Sequence, residues 1–207
     1  HGRHLEAMKE HGLTLERLWD PNPETIAVKA TDMEHYKEQP DVILVCVKGY
    51  SLEDTVPFIR RVAKPDTIVI PILNIYGTGA KLQKELPELL VTDGCIYVSA
   101  NIKEPGVLVQ HGKILRIVYG VREKADWRSE LEEIRQDFAD SAIDGILSEN
   151  IRREALEKFS YVSPIGSAGL YCNAVAGDFQ KEGAPRELFC SMIREIAALA
   201  DAMGVPF

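Results

Sequence analysis

The sequence predicts an α/β protein in which a doubly wound, largely parallel sheet is followed by an all-helical segment. Two buried-strand patterns, "DVILVCVK" (41–48) and "TIVIPIL" (67–73), flank an amphipathic helix. Such an arrangement is typical of a βαβ unit with a right-handed crossover. From Asn150 onward the apolar residues recur only at helical spacing. We therefore expect an α/β domain over 1–147 and a helical domain over 148–207.

The elements before the βαβ unit are predicted to be one helix and two strands. "HLEAMKEHG" (4–12) is amphipathic and ends at a glycine, while "LTLERLW" and "TIAVKA" cluster or alternate apolar residues as strands do. A doubly wound sheet normally opens on a strand and a glycine-rich turn. Because a helix comes first here, we expect either a fragment that lacks the first strand of the sheet or a fold that does not bind nucleotides. The last predicted helix has no successor to pack on, so we also expect the helical domain to be incomplete.

The remaining elements follow from periodicity and from capping residues. Ser51 is expected to cap the helix that follows it. Residues 94–119 are expected to form a meander of two or three strands, with turns at "EPG" and "HGK". The last helix should begin at Pro185 and end at Gly204. Further helices are predicted over Leu52–Ala63, 79–89 and 127–142, and a short strand over 145–148.

Charge and composition narrow the classes of function. The chain has 24 Lys and Arg against 32 Asp and Glu, a net charge of -8, which gives no basic surface for nucleic acid or anionic lipid. The longest apolar runs have the length of strands, so no membrane span is expected, and no signal peptide is apparent. The cysteines are widely spaced, without a CxxC pair, which favours reduced thiols in the cytoplasm and no metal site. They are Cys46, Cys95, Cys172 and Cys190.

Polar residues stand directly after both buried strands. Lys48 follows the first strand and Asn74 follows the second. In doubly wound sheets, ligands bind outside the carboxyl ends of the strands. A lysine there can hold a phosphate or carboxylate, and an asparagine offers both a donor and an acceptor. Alternatively, Lys48 is a solvated strand end and Asn74 a turn former. "GTG" (77–79) lacks the rest of GxGxxG and is not expected to bind phosphate.

One lysine interrupts an apolar helix face in "EALEKFSYVSPIG" (154–166). On a helical wheel, Lys158 falls on the same narrow stripe as Ile151, Ala155, Val162 and Gly166. A lysine on such a stripe is explained if the stripe lines a cleft between domains instead of a sealed core. The alternative is that its stem packs on the stripe while its ammonium reaches solvent near neighbouring glutamates.

These features together resemble the ketopantoate reductases (2-dehydropantoate 2-reductases). The segments that carry the resemblance are "VILVCVKGYSLEDTVPFI", "ILNIYGTGAKLQKEL", "GCIYVSANIKEPGVLVQHG" and "ENIRREALEKFSYV", in this order and spacing. The last segment is the most specific. The resemblance implies a Rossmann-like N-terminal domain that binds NADP and a helical C-terminal domain that closes over the substrate. The GxGxxG segment is then expected before residue 1, and a further active-site glutamate after residue 207.

The same resemblance implies roles for four residues. Lys158 would be the catalytic proton donor to the ketone and a substrate ligand, and Asn74 would contact both nicotinamide and substrate. Lys48 and Ala100 would line the NADP site. The implied reaction is the NADPH-dependent reduction of a 2-keto acid, either 2-dehydropantoate in pantothenate biosynthesis or a related substrate. Desolvation in a closed cleft should lower the pKa of Lys158, which suits proton delivery to a forming alkoxide.

Departures from the family pattern keep alternatives open. Three family asparagines that bind substrate are replaced here by Val162, Gly166 and Ala176. Lost hydrogen-bond partners weaken the binding of a hydroxylated keto acid. One alternative is therefore a related dehydrogenase acting on a different carbonyl or imine, and another is a non-catalytic nucleotide-sensing module. The expected partner is a small molecule, and the choice between NAD and NADP and the existence of a homodimer stay open.

Overall fold

The computed structural model describes residues 2–207, which form six α-helices and eight strands. The helices are α1 (Gly2–His11), α2 (Thr55–Val62), α3 (Thr78–Glu85), α4 (Glu130–Asp140), α5 (Ile151–Cys172) and α6 (Ala184–Ala202). The strands are β1 (Leu13–Arg17), β2 (Asp20–Ile26), β3 (Val42–Val45), β4 (Ile68–Pro71), β5 (Leu90–Val91), β6 (Asp93–Glu104), β7 (Val107–Gly120) and β8 (Asp144–Leu147).

The predicted βαβ unit is confirmed. β3 and β4 are parallel neighbours, with Val42 opposite Ile68, and β5 continues the same sheet. Side chains along β4 alternate between two cores. Val69 packs against α2 and α3 on one face, whereas Ile68 and Ile70 pack against α4 on the other. Helices therefore cover both faces, which is the doubly wound arrangement and explains the continuous apolar runs.

The longest strand, β7, organises the second sheet. Its order is β2-β1-β7-β6, and β8 also pairs with β7. β6 runs antiparallel along one side of β7, while β1 and β8 pair in parallel with different halves of its other side. The strand predicted over "LTLERLW" is confirmed as β1, whereas the second was misplaced: β2 ends at Ile26 and forms a small hairpin with β1, so most of "TIAVKA" lies outside it.

Residues 94–119 form a single hairpin, so the prediction of a meander with a turn at "HGK" was wrong. The "EPG" turn is confirmed, and Gly106 adopts a positive φ of 80° there, which a glycine tolerates. "HGK" lies inside β7. Polar residues and a glycine are typical of turns but also occur in bulged strands, so the local sequence could not separate the two.

A bulge replaces the expected second turn. The register passes from Val98 opposite Leu115 to Ala100 opposite Gln110. One residue of β6 therefore faces the four residues 111–114 of β7. A bulge of this kind bends its strand and redirects the side chains on it, and bulges often lie beside functional sites.

Several helix boundaries differ from expectation, and α4, predicted over 127–142, spans Glu130–Asp140. Ser51 is not a helix cap, because Gly49–Ser51 form a short 3-10 turn and α2 begins later, after Asp54, without a side-chain cap. Burial of Leu52, which is 2% exposed, holds that turn against the core. α3 ends at Glu85, earlier than predicted. The helix stops there because a proline at position 87 disfavours helical backbone in the residue before it.

The C-terminal part of the chain is helical, as predicted from Asn150 onward. α5 and α6 pack together through a cluster that includes Leu156 and Ala200. Ile151 joins α5 to the second sheet, where it packs on Cys95 and Val118. α6 has a proline in its first turn and stops before Gly204, as predicted. Within the described residues, no helix combines the length and apolar character that crossing a membrane requires.

Candidate active site

A cleft of about 730 Å³ lies between α5 and the bulged hairpin of β6 and β7. This volume is in the range of small-molecule sites, which run from about 300 to 1,000 Å³. The loop after β4 closes a third side. The side chains most relevant to chemistry on its walls are Asn74, Tyr97, Lys113, Lys158, Tyr161 and Val162.

The stripe that carries Lys158 is not sealed in a core. Ile151 is fully buried at its start, Lys158 and Val162 are half-buried, and Gly166 is exposed. The fully buried face of α5 is a different one, which includes Leu156. The first residue of the stripe therefore packs on the sheet, while Lys158 and Val162 in its middle line the cleft. A lysine can lie on this apolar face because that part of the face is open to the cleft.

The ammonium of Lys158 rests on β6. Its Nζ donates a hydrogen bond to the carbonyl oxygen of Ile96 and lies 4.7 Å from the centre of the Tyr97 ring. Among the described residues no carboxylate forms an ion pair with it. Burial lowers the pKa of Lys158, and the nearby Cys95 opposes this effect in part. The side chain is thus a desolvated cation held by a carbonyl and an aromatic face.

The groups beneath the ammonium are uncharged near neutral pH. Burial raises the pKa of the Cys95 thiol, while Lys158 lowers it in part. Burial, and next the proximity of Cys95, raises the pKa of Tyr97 to about 12. A thiol and a phenol therefore lie near the ammonium, and neither neutralises its positive charge. Lys158 remains available to a partner that enters the cleft.

Asn74 reaches the cleft from the loop after β4. Its side chain is exposed and makes no hydrogen bond to any other described residue, so its amide donor and acceptor are both free. The loop is held against α5, because the rings of Tyr76 and Phe159 pack with centroids 6.5 Å apart. This contact positions Asn74 and Lys158 on facing sides of one cleft.

At the "GTG" segment, a side chain of the protein takes the place that a phosphate would need. This agrees with the prediction that the incomplete motif does not bind phosphate. Buried Asp93 accepts hydrogen bonds from the backbone N–H groups of Gly79 and Ala80 at the start of α3. A Cβ on Gly79 would lie only 2.1 Å from the carbonyl oxygen of Thr92. Burial raises the pKa of Asp93, while Arg122, with its Nη1 3.5 Å away, opposes this. The start of α3 therefore has no open cradle for phosphate.

Lys48 and Ala100 lie close to the cleft but do not form its walls. Lys48 is exposed three residues after β3, at the same sheet edge as Asn74, which stands three residues after β4. The loops meet, since a Cβ on Gly49 would lie 2.2 Å from Ile75. Ala100 is exposed on β6, one residue beyond the cleft wall. The structure therefore brings Asn74 and Lys158 together and leaves the other two at the periphery.

Several wall residues were missed by sequence analysis. Tyr97 could have been identified from the alternation in "CIYVSA", because a strand there places it on the same face as Cys95. Lys113 had none, because it stood in the segment interpreted as a turn; it is exposed on the bulge and forms no ion pair within the described chain. Tyr161 follows Lys158 by less than one helical turn and could have been placed beside it.

The three positions where family asparagines are expected do not behave alike. Val162 is part of the cleft wall, one turn after Lys158. Gly166 and Ala176 are exposed and lie outside the wall. Only one of the three replacements therefore changes the surface of this cleft. Among residues 2–207, no group of three or more His, Cys, Asp or Glu side chains could hold a metal ion.

Comparison with known proteins decides the family. The sequence profile described as "Ketopantoate reductase PanE/ApbA" matches residues 1–124, which is more than half of the chain. The chain belongs to the ketopantoate reductase family. A 2-dehydropantoate 2-reductase of Pyrococcus horikoshii is 26% identical over all 207 residues. The chain spans 65% of the length of that relative.

Solved structures of ketopantoate reductase relatives share the fold. A 2-dehydropantoate 2-reductase from Porphyromonas gingivalis superposes with a TM-score of 0.84 at 24% identity, covering 100% of this chain and 71% of that one. A D-mandelate dehydrogenase in complex with NADH and anilino(oxo)acetate gives a TM-score of 0.88 at 17% identity, covering 100% and 66%. These likenesses establish the Rossmann-like architecture with its helical C-terminal part.

Proposed function

We propose that the full-length gene product containing these 207 residues is an oxidoreductase that reduces a 2-keto acid to the 2-hydroxy acid with a nicotinamide cofactor. One observation carries the proposal. The ammonium of Lys158 is desolvated, has no carboxylate partner in the described chain, and shares a cleft with the free amide of Asn74. In a ketopantoate reductase family member, this pair is suited to polarise a ketone and to protonate the product oxygen.

The described residues fit the nicotinamide end of such a cofactor. Asn74 offers a free amide to a carboxamide, and Lys48 offers a cation at the same sheet edge. Ala100 is exposed, and its short side chain leaves room for the cofactor beside the cleft. When bound, the cofactor supplies a hydride to the carbonyl carbon. We take NADP as the cofactor by family resemblance, and the NADH in the D-mandelate dehydrogenase complex supports the nicotinamide class in general.

The chain contributes positioning and a proton. The Asn74 amide donates a hydrogen bond to the ketone oxygen and fixes its direction. As negative charge develops there, Lys158 transfers one proton from its ammonium to that oxygen and becomes a neutral amine. Solvent then restores the lost proton. Cys95 and Tyr97 are uncharged and do not neutralise Lys158, and its lowered pKa makes it a better acid than a free lysine.

The finer assignment follows the named relative. A 2-dehydropantoate 2-reductase would convert 2-dehydropantoate to pantoate in pantothenate biosynthesis, in the cytoplasm, and could act as a homodimer. Val162 favours a second candidate, a dehydrogenase of the same family acting on another 2-keto acid, because it places an apolar side chain where a substrate ligand is expected. Both candidates use the same Lys158 chemistry.

Steady-state assays test the proposal. Purified full-length protein is mixed with NADPH or NADH and a panel of 2-keto acids, and absorbance of the reduced cofactor is followed. We expect oxidation of the cofactor with at least one 2-keto acid. Cofactor binding without turnover of any panel member would support the nucleotide-sensing alternative and contradict the proposal.

A further inference from the structure

We infer that the cleft selects a 2-keto acid whose side chain is a branched or aromatic hydrocarbon over one whose side chain carries a hydroxyl group. This inference rests on the proposed function and concerns the substrate of the same site. It follows from the walls of the cleft, which offer apolar contacts to a side chain and few buried polar partners.

Exposed apolar side chains gather around this cleft. Ile114 is 65% exposed, Tyr161 is 55% exposed and Val98 is 42% exposed, and all three line it. Single exposed apolar residues need no explanation, but a contiguous group around a concave site indicates a ligand that covers them. Tyr97 and Val162 extend the apolar surface toward Lys158.

The position of Val162 relates this surface to the reacting carbon. Val162 stands four residues after Lys158, so the two side chains lie one above the other on α5. A ketone held by Lys158 therefore directs its side chain along Val162 and the Tyr97 ring. In that position a hydroxyl group would lie against the Val162 methyl groups and the Tyr97 ring, where the described side chains offer few hydrogen-bond partners, which is unfavourable.

The remaining polar groups do not compensate for that loss. Asn74 and Lys158 are used by the ketone, and Lys113 on the bulge is the free cation suited to the carboxylate. Ser99, Glu157 and Tyr161 also offer polar groups to the cleft, but all three residues are exposed. A hydrogen bond to an exposed group replaces one to water and adds little to binding.

A matched pair of substrates tests the inference. Trimethylpyruvate is 2-dehydropantoate with the hydroxyl group replaced by hydrogen, so the two differ by one oxygen atom. With the full-length protein, we expect kcat/KM to favour trimethylpyruvate by about 10- to 100-fold, the range over which an apolar pocket rejects an added hydroxyl. Equal values, or a preference for 2-dehydropantoate, would overturn the inference and leave the proposed function intact. Absence of turnover with both compounds and with phenylglyoxylate would contradict the proposed function instead.

Variants at the wall connect the preference to these residues. Val162→Asn should reduce the ratio of the two kcat/KM values at least about tenfold, by restoring a polar partner beside Lys158. Val162→Leu, the matched apolar control, should keep the ratio. If Val162→Asn does not fold, as judged by its circular dichroism, Ile114→Asn on the exposed bulge serves the same purpose. A ratio unchanged in the folded polar variant would show that the substrate side chain lies elsewhere, and would overturn the inference.

Discussion

At the scale of single residues, the site depends on how a cation is kept on an apolar surface. Lys158 donates a hydrogen bond to a backbone carbonyl oxygen and lies over the face of an aromatic ring, and it has no carboxylate partner among the described residues. A carboxylate would hold the proton more tightly and oppose its transfer. A ring and a carbonyl stabilise the ammonium more weakly, so the proton can be released to a substrate.

Replacement of Lys158 tests its role as proton donor. Lys158→Met keeps a stem of similar shape and removes the charge, so α5 should remain packed. We expect turnover with the preferred 2-keto acid to fall by about 10²-fold or more, the scale of general-acid catalysis. Affinity for the reduced cofactor, measured by fluorescence titration, should be nearly unchanged. Lys9→Met, at an exposed position of α1, is the control. Equal turnover in Lys158→Met and wild type would show that the lysine is structural.

The pH profile reports the environment of the same lysine. Reduction requires protonated Lys158, so kcat should fall as the pH rises through its pKa. Burial lowers that pKa, and the fall should therefore occur at lower pH than for an ordinary lysine. The Tyr97 ring favours the charged form. Tyr97→Leu should therefore move the fall to still lower pH, whereas Tyr97→Phe, which keeps the ring, should not. A profile identical in all three proteins would exclude the ring from this role.

At the scale of elements, the regular parts of the fold were predictable and the irregular part was not. The apolar runs of β3 and β4 are long enough to specify buried parallel strands without tertiary information. The bulge at 111–114 is not, because "HGK" has the composition of a turn. Lys158 could be placed on a stripe from helical spacing alone. Its contact with Tyr97 depends on how α5 lies across β6, which no local pattern encodes.

The junction at the start of α3 makes a prediction about stability. Gly79→Ala would place a Cβ 2.1 Å from the carbonyl oxygen of Thr92 and 2.2 Å from Asp93 Oδ1. We expect it to lower the free energy of unfolding by about 1–3 kcal/mol, as overpacking does. Urea denaturation followed by circular dichroism measures the effect.

Gly166→Ala is the matched control for that change. Gly166 lies within α5, and a Cβ there would meet no atom within 4 Å. Alanine should therefore raise the free energy of unfolding by about 0.5–1 kcal/mol, through helix propensity. Similar effects of the two alanines would mean that the close approach at Gly79 relaxes without cost.

At the scale of the whole molecule, the second sheet and α5 meet at a buried contact formed by Ile151, Cys95 and Val118. This contact helps to fix α5 across β6, which forms one side of the cleft. The domain boundary near residue 148 stays a prediction. The contact shows how the α/β part before it packs against the helical part after it. A substitution in this contact should therefore lower the free energy of unfolding and also alter the shape of the cleft.

Truncation of Ile151 tests this connection. Ile151 is 0% exposed, and Ile151→Ala should cost about 2–5 kcal/mol of unfolding free energy, as expected for a large buried side chain. Ile26→Ala, at a half-exposed position of β2, should change it by no more than about 0.5 kcal/mol. Urea midpoints of the two variants provide the comparison. A small loss in Ile151→Ala would mean that the helices are held to the sheet by other contacts.

The bulge in β7 also has a consequence for isotope labelling. Residues 111–114 have no cross-strand partner in the register of β6, although the strand is paired on either side of them. Their amide hydrogens should exchange with deuterium in seconds, while those of 116–119 remain protected. A keto acid covering Lys113 and Ile114 should slow the uptake there. Mass spectrometry of peptides from this strand would then detect substrate binding without any turnover, and uptake unaltered at saturating ligand would place the ligand away from the bulge.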